Sequence, residues 1–184
     1  VSAVAQIVRS KVLYPVALVD CILISDTDLT EKTAQAEADV LAHLCTMADD
    51  YEMAFRAYRT PQGLRIICVS DLLRPSAEVS ARILGDLGCD SKYIEGIKAY
   101  GKFGARLGGK AQRMGLSLPA DFNYYALLPK EQREWDARYD AVSPNYRACE
   151  FILQTTECKM PSEIANFIAL HDERTKCFAD LPMA

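Results

Sequence analysis

Apolar and polar positions along the chain follow two periods, and the switches between them mark out elements. In residues 2–13, Val4, Ile7, Val8 and Val12 fall at helical spacing, which predicts a helix ended by Pro15. Residues 16–25 are almost continuously apolar and rich in β-branched side chains, the pattern of a strand buried on both faces, where Asp20 is out of place. Asp28 with Glu31 three residues on is a capping-box variant. Ala34, Ala38, Leu41, Leu44, Cys45 and Ala48 then form one stripe of a helix. Tyr51, Met53, Phe55 and Ala57 alternate with Glu52, Arg56 and Tyr58, giving a strand with one apolar and one mixed face. Pro61, Gln62 and Gly63 predict a hairpin turn into a strand over 64–70, because Pro presets φ and Gly tolerates positive φ. Pro75 opens another helix, with Val79, Ile83, Leu84 and Leu87 on its apolar face and Gly88 as its stop. Phe103, Ala105 and Leu107 alternate with Lys102, Gly104 and Arg106 as a fourth strand.

The order β-α-β-β-α-β predicts an α+β protein with a ferredoxin-like split βαβ core, whose helices cover one sheet face and leave the other available. Beyond Pro119, residues 130–139 read as a helix carrying the only tryptophan, Trp135, and 149–155 as a strand. Pro161 opens a last helix with Ile164, Phe167, Ile168 and His171 on one face. The expectation is a core over 1–120 with a mixed extension over 121–184 packed on it, since a unit of that size has a marginal core of its own.

A length of 184 residues, 50% apolar and 25% charged, fits a folded domain rather than a disordered chain, and no apolar run is long enough to span a bilayer. Seven cysteines without a CxxC pair suggest core thiols in a reducing, cytoplasmic setting. The start of the chain lacks both a signal-peptide layout and an initiating Met, which reads as an excised domain or a processed product.

Charge changes the picture more than composition does. The net charge of −4 argues against a uniformly basic nucleic-acid binder. By segment, residues 1–55 hold 3 basic and 9 acidic side chains, 56–113 hold 11 and 5, and 114–184 hold 7 and 11. The basic middle coincides with the hairpin and with a glycine-rich turn. If Pro61 to Gly63 form a three-residue loop, Arg59 and Arg65 stand directly opposite, which is unfavourable unless solvent or an anion separates them. Arg56 lies nearby, and Arg106, Lys110 and Arg113 follow on or after the fourth strand. Phosphate is the matching anion for Arg forks and glycine backbone, with a solvated charged face as the alternative. Tyr58 is the ring best placed to stack a base, whereas Tyr93 and Tyr100 read as helix packing and Phe103 as core.

Other chemistry is thin. Gly104, Gly109 and Lys110 satisfy GxxxxGK, but Ala111 stands where a hydrolytic loop needs Ser or Thr on Mg²⁺. Asp26 and Asp28 form a DxD pair that suits a divalent metal in principle, while Asp28 also suits a helix cap and Asp20 calls for a structural partner. Of two histidines, His43 faces solvent and His171, followed by Asp172, suits a hydrogen-bonded core or capping position. No spacing assembles a catalytic triad, a cofactor motif or a metal site.

The stretch Tyr58-Arg59-Thr60-Pro61-Gln62-Gly63-Leu64-Arg65-Ile66-Ile67 resembles the hairpin of archaeo-eukaryotic primase and primase-polymerase domains, as do Gly88-Cys89-Asp90 and the segment from Phe103 to Lys110 more faintly. Arg65 stands where that family has His, and Ile22 where it has a carboxylate partnering Asp20. The resemblance therefore implies a primase-like fold that binds nucleotides or nucleic acid, without polymerase activity. The expected function is binding of a phosphate-bearing ligand, nucleic acid or nucleotide, by Arg56, Tyr58, Arg59, Arg65, Arg106, Lys110 and Arg113, without a cofactor or membrane. The alternatives are metal-dependent phosphoryl transfer or hydrolysis through Asp20, Asp26 or Asp28, and a module that pairs by charge with a protein partner or a second copy.

Overall fold

The computed structural model describes residues 5–184. Strand β1 (Gln6–Arg9) turns back through residues 10–14 onto β2 (Pro15–Val19), pairing Arg9 with Pro15 and Gln6 with Leu18. This replaces the helix expected over 2–13, of which Val4 lies outside the described residues. The helical spacing was carried by β-branched side chains, and Ile7 and Val8 serve a strand instead. Pro15 starts β2, a position where a missing N–H is tolerated.

The continuous strand expected over 16–25 is broken. Residues 20–23 cross between layers, and β3 (Ile24–Asp28) begins a second sheet. Asp20 is therefore not in a buried strand; it pairs with Lys102 at 2.8 Å near the surface. Helix α1 (Ala34–Tyr51) is capped by Thr33, which accepts from the Ala36 N–H at 3.1 Å, and not by Asp28, which is still in β3. Its Leu44, Met47 and Ala48 face the core.

β4 (Phe55–Arg59) and β5 (Gly63–Cys68) form the expected hairpin, but one residue out of the expected register. Thr60 N–H donates to the Gly63 carbonyl at 2.8 Å, so Pro61 and Gln62 alone make the loop. Arg59 consequently faces Leu64, and Arg65 faces Tyr58. A one-residue shift moves every side chain of a strand to the other face. Gly63 is required here: a Cβ would lie 2.1 Å from the Thr27 carbonyl oxygen of β3.

Helix α2 (Glu78–Asp86) is followed by α3 (Ser91–Tyr100), which the hydrophobic pattern did not announce, and then by β6 (Phe103–Arg106). Helix α4 (Pro129–Val142), strand β7 (Glu150–Gln154) and helix α5 (Ser162–Thr175) fall where expected. The class is α+β, with two antiparallel sheets in the orders β1-β2-β6 and β3-β5-β4-β7. The expected single sheet is thus divided at residues 20–23. One apolar core joins both sheets through Ala17, Val19, Phe103 and Ala105 on one side and Phe55, Ile66 and Ile67 on the other. A smaller cluster gathers Leu13, Ala111, Met114 and Tyr139 under α4. Among the described residues, no helix is long and apolar enough to cross a membrane.

The sheet face expected to stay open is covered. Arg59 on one face of the four-stranded sheet reaches Glu37 of α1, while Arg56 and Tyr58 on the opposite face meet Asp172 of α5. Strand β7 and helix α5, from the C-terminal segment, complete that sheet and its second layer.

Candidate cation cluster at the glycine turn

The seven residues expected to share one basic surface separate into two groups. In the first, each cation is neutralised within the fold. Asp26, Arg65 and Tyr58 form a row across β3, β5 and β4. Arg65, 1% exposed, donates through Nε and Nη2 to the two Asp26 oxygens at 2.9 and 3.2 Å. Its Nη1 reaches the Arg106 carbonyl at 2.7 Å and His171 Nε2 at 3.4 Å. Burial opposes the Arg65 charge, but Asp26 outweighs it and raises its pKa.

α5 closes this layer. With Nε2 facing an arginine donor, His171 carries its proton on Nδ1 and donates it to Asp172 Oδ1 at 3.0 Å. Tyr58 donates its hydroxyl to the same oxygen at 2.9 Å, and Arg56 donates to Oδ2 at 2.8 Å. Burial holds the His171 pKa below its ordinary value. Although burial of Asp172 works the other way, its hydrogen bonds from His171 and Tyr58 bring the carboxyl pKa down. Tyr58 is fully buried, with its ring 4.7 Å from the His171 ring in an edge-on arrangement, so it has no face to offer a base. Arg59 is claimed by Glu37 at 2.6 and 2.7 Å and by Glu150. Arg56, Tyr58, Arg59 and Arg65 are therefore withdrawn from the candidate surface. A register shift and an added helix supply the partners that the hairpin alone lacks.

The second group has no such partners. β6 ends at Arg106 and runs through Leu107, Gly108, Gly109 and Lys110 into a 3-10 turn, Ala111–Met114. Both glycines are fixed by close approach: a Cβ on Gly108 would lie 2.3 Å from the Tyr139 hydroxyl, and one on Gly109 2.8 Å from the Met114 sulfur. The Tyr139 hydroxyl donates to the Gly109 carbonyl at 2.8 Å and pins the turn. Arg106 donates to the Gly108 carbonyl at 2.9 Å and to the main-chain oxygen of Ala184, the last residue of the chain, at 2.8 Å, and its guanidinium lies 5.8 Å from the centre of the Tyr14 ring. Nη1 of Arg113 is buried without a hydrogen-bond partner. Among the described residues, Arg106, Lys110 and Arg113 pair with no Asp or Glu side chain.

The electrostatics follow. Burial, then repulsion from Arg65 and Arg113, draws the Arg106 pKa down to about 10, with Asp26 working against the shift. Burial, Arg113 and Arg106 lower that of Lys110, against Asp28 and Asp26. These side chains remain charged at neutral pH yet are held where positive charge is disfavoured, the state that an incoming anion relieves. The 3-10 turn is four residues long, so GxxxxGK here opens no α-helix.

The three aspartates do not gather. Asp20 is taken by Lys102, and Asp26 by Arg65. Asp26 and Asp28, two apart in β3, lie on one strand face and both act on Lys110. Among the described residues, no group of three or more His, Cys, Asp or Glu side chains is arranged to hold a metal. The residue that sequence reasoning missed is Tyr14, beside Arg106; its signal was weak, a single ring next to Pro15. Tyr100, expected to pack a helix, is 70% exposed. No family model, curated protein or solved structure matches the chain.

Proposed function

We propose that the chain binds a phosphate-bearing ligand, nucleotide or nucleic acid, through Arg106, Lys110 and Arg113. The observation that carries this reading is the buried, unpartnered Nη1 of Arg113 beside two further cations that pair with no Asp or Glu side chain among the described residues. Folding leaves a buried donor unsatisfied at a cost of about 1–3 kcal/mol, and a phosphate oxygen removes that cost while neutralising the cluster. Arg supplies a planar fork and Lys110 a point charge.

Calorimetric titration with inorganic pyrophosphate tests the reading. Arg113→Ala should weaken binding by about 10-fold or more, the worth of a charge-assisted hydrogen bond. Arg59→Ala, outside the cluster, should leave it unchanged. Absence of pyrophosphate binding, or equal affinity in both variants, overturns the assignment. For a single-stranded oligonucleotide, three cations imply a slope of about −2 in log affinity against log salt.

One observation favours a second reading, metal-assisted phosphoryl transfer. Asp26 and Asp28 share a strand face next to Lys110, and Mg²⁺ is commonly held by one or two carboxylates together with substrate phosphates. Here Asp26 retains lone pairs beyond those that Arg65 uses. Pyrophosphate affinity that rises with Mg²⁺ in the native chain but not in Asp28→Asn supports this version, and indifference to Mg²⁺ removes it.

A further inference from the structure

The outer face of the β1-β2-β6 sheet holds a cleft of about 240 Å³ that ends at Arg106. Its floor is Val16, Leu18 and Gly104, the positions that alternate with core-facing Ala17, Val19, Phe103 and Ala105. Helix α3 forms the wall. Tyr93 anchors that helix, its hydroxyl donating to the Gly104 carbonyl at 3.0 Å and accepting from the Gly104 N–H at 3.2 Å. At Gly96, one turn further on, the wall stands away from everything: a Cβ there would meet nothing within 4 Å.

We infer that this cleft takes the base of a mononucleotide whose phosphate rests on Arg106, Lys110 and Arg113; the inference builds on the phosphate reading and names its ligand. Arg106 belongs to both the cleft and the cation cluster, so a ligand that fills one abuts the other. Two rings line the cleft: Tyr14, half-buried between the smaller core cluster and the Arg106 guanidinium, and Tyr100, exposed at the rim. An exposed aromatic ring on an apolar floor is the arrangement on which a base stacks. Asp26 also lines the cleft. Its carboxylate, 35% exposed, has lone pairs that the Arg65 fork leaves unused and so can accept from an exocyclic amino group. The cleft is short, and Lys102 on its lining is already bound by Asp20, so the charge that remains is grouped at the Arg106 end with Lys92 apart from it. That polarity matches one base with one phosphate group better than a strand, which needs a cationic track along its length.

Titrations of the full chain with AMP, adenosine and pyrophosphate, and with oligo(dA) of increasing length, test the inference. Gly96→Leu fills the cleft while favouring the helix, and Tyr100→Ala removes the rim ring. Both should weaken AMP binding by about 10-fold and leave pyrophosphate binding unchanged, whereas Arg113→Ala should weaken both ligands. If AMP binds no better than pyrophosphate, or ignores Gly96→Leu and Tyr100→Ala, the cleft assignment is overturned while the phosphate site stands. If neither ligand binds, the phosphate site is overturned and the cleft assignment with it. Affinity that climbs with each added nucleotide of oligo(dA) replaces the mononucleotide with a strand.

Discussion

Two groups of cations in the basic middle segment, 56–113, meet opposite fates. Arg56, Arg59 and Arg65 sit in a sheet covered on both faces, and each has a carboxylate within 2.9 Å. Arg106, Lys110 and Arg113 sit where the shorter sheet runs into a glycine turn, and among the described residues none pairs with an Asp or Glu side chain. Arginine content does not distinguish the two. What does is whether the fold brings a carboxylate across. β3 and α5 deliver Asp26 and Asp172 to the first group, whereas Arg106 of the second group meets the main-chain oxygens of Gly108 and Ala184. A paired buried cation is a structural element, and an unpaired, half-buried one is available to a ligand.

The contrast is broken most directly at Arg65. Arg65→Ala removes the partner of Asp26 and strands the Arg106 carbonyl and His171 Nε2 in the interior. Chemical denaturation should show a loss of about 3–5 kcal/mol, the usual cost of removing one member of a buried pair. Arg113→Ala removes no partner from any other group and takes away a buried unsatisfied donor, so it should leave stability unchanged or raise it. Equal costs at the two positions would erase the division between structural and ligand-facing cations.

Acid tests the covered layer next. His171 has a folded-state pKa below its ordinary 6.5 because burial disfavours its charge. The unfolded chain therefore binds a proton more readily. Stability falls as pH drops below about 6.5 and goes on falling until the folded-state pKa is reached. Asp172, lowered from 3.8 by its donors, adds a second loss of the same sign below that value. Thermal melts in a pH series should show both phases in the native chain. In His171→Asn the upper phase should vanish, and its persistence would place the proton elsewhere.

Much of this division was legible from local pattern, and the rest depended on contacts far apart in the chain. The hairpin, α1, α2, β6, α4, β7 and α5 announce themselves through period, turn residues and proline. The first strand and α3 do not: Ile7, Val8 and Val12 mimic a helix, and the stripe of α3 is short, with only Ile97 buried. The break at residues 20–23 was hinted at by Asp20, a charge that a doubly buried strand could not keep. For the site, three of the seven candidate residues remain together. The four that leave do so because Arg65 pairs with Asp26, 39 residues back, and Arg56 and Tyr58 with Asp172, more than 110 residues on. Arg59 likewise finds Glu37 and Glu150. No window of sequence contains those meetings.

The smallest effect bears on the unpaired group and is the most discriminating, because its sign reverses with ligand. Folding holds Lys110 where burial, Arg113 and Arg106 disfavour its charge, so its pKa lies below 10.5. The native state then releases the proton first as pH rises. Stability should increase through the interval between that lowered pKa and 10.5, the reverse of a lysine that gains a carboxylate. Lys110→Gln removes the repulsion at all pH values. Without phosphate it should be as stable as the native chain or more so, by up to about 0.5 kcal/mol, and its alkaline rise should be flattened. With pyrophosphate the order should invert, since ligand at ten times its dissociation constant adds about 1.4 kcal/mol to whichever chain binds it. A Lys110→Gln chain less stable than the native one in ligand-free buffer would mean that the lysine has a structural partner, and would move it from the second group of cations to the first.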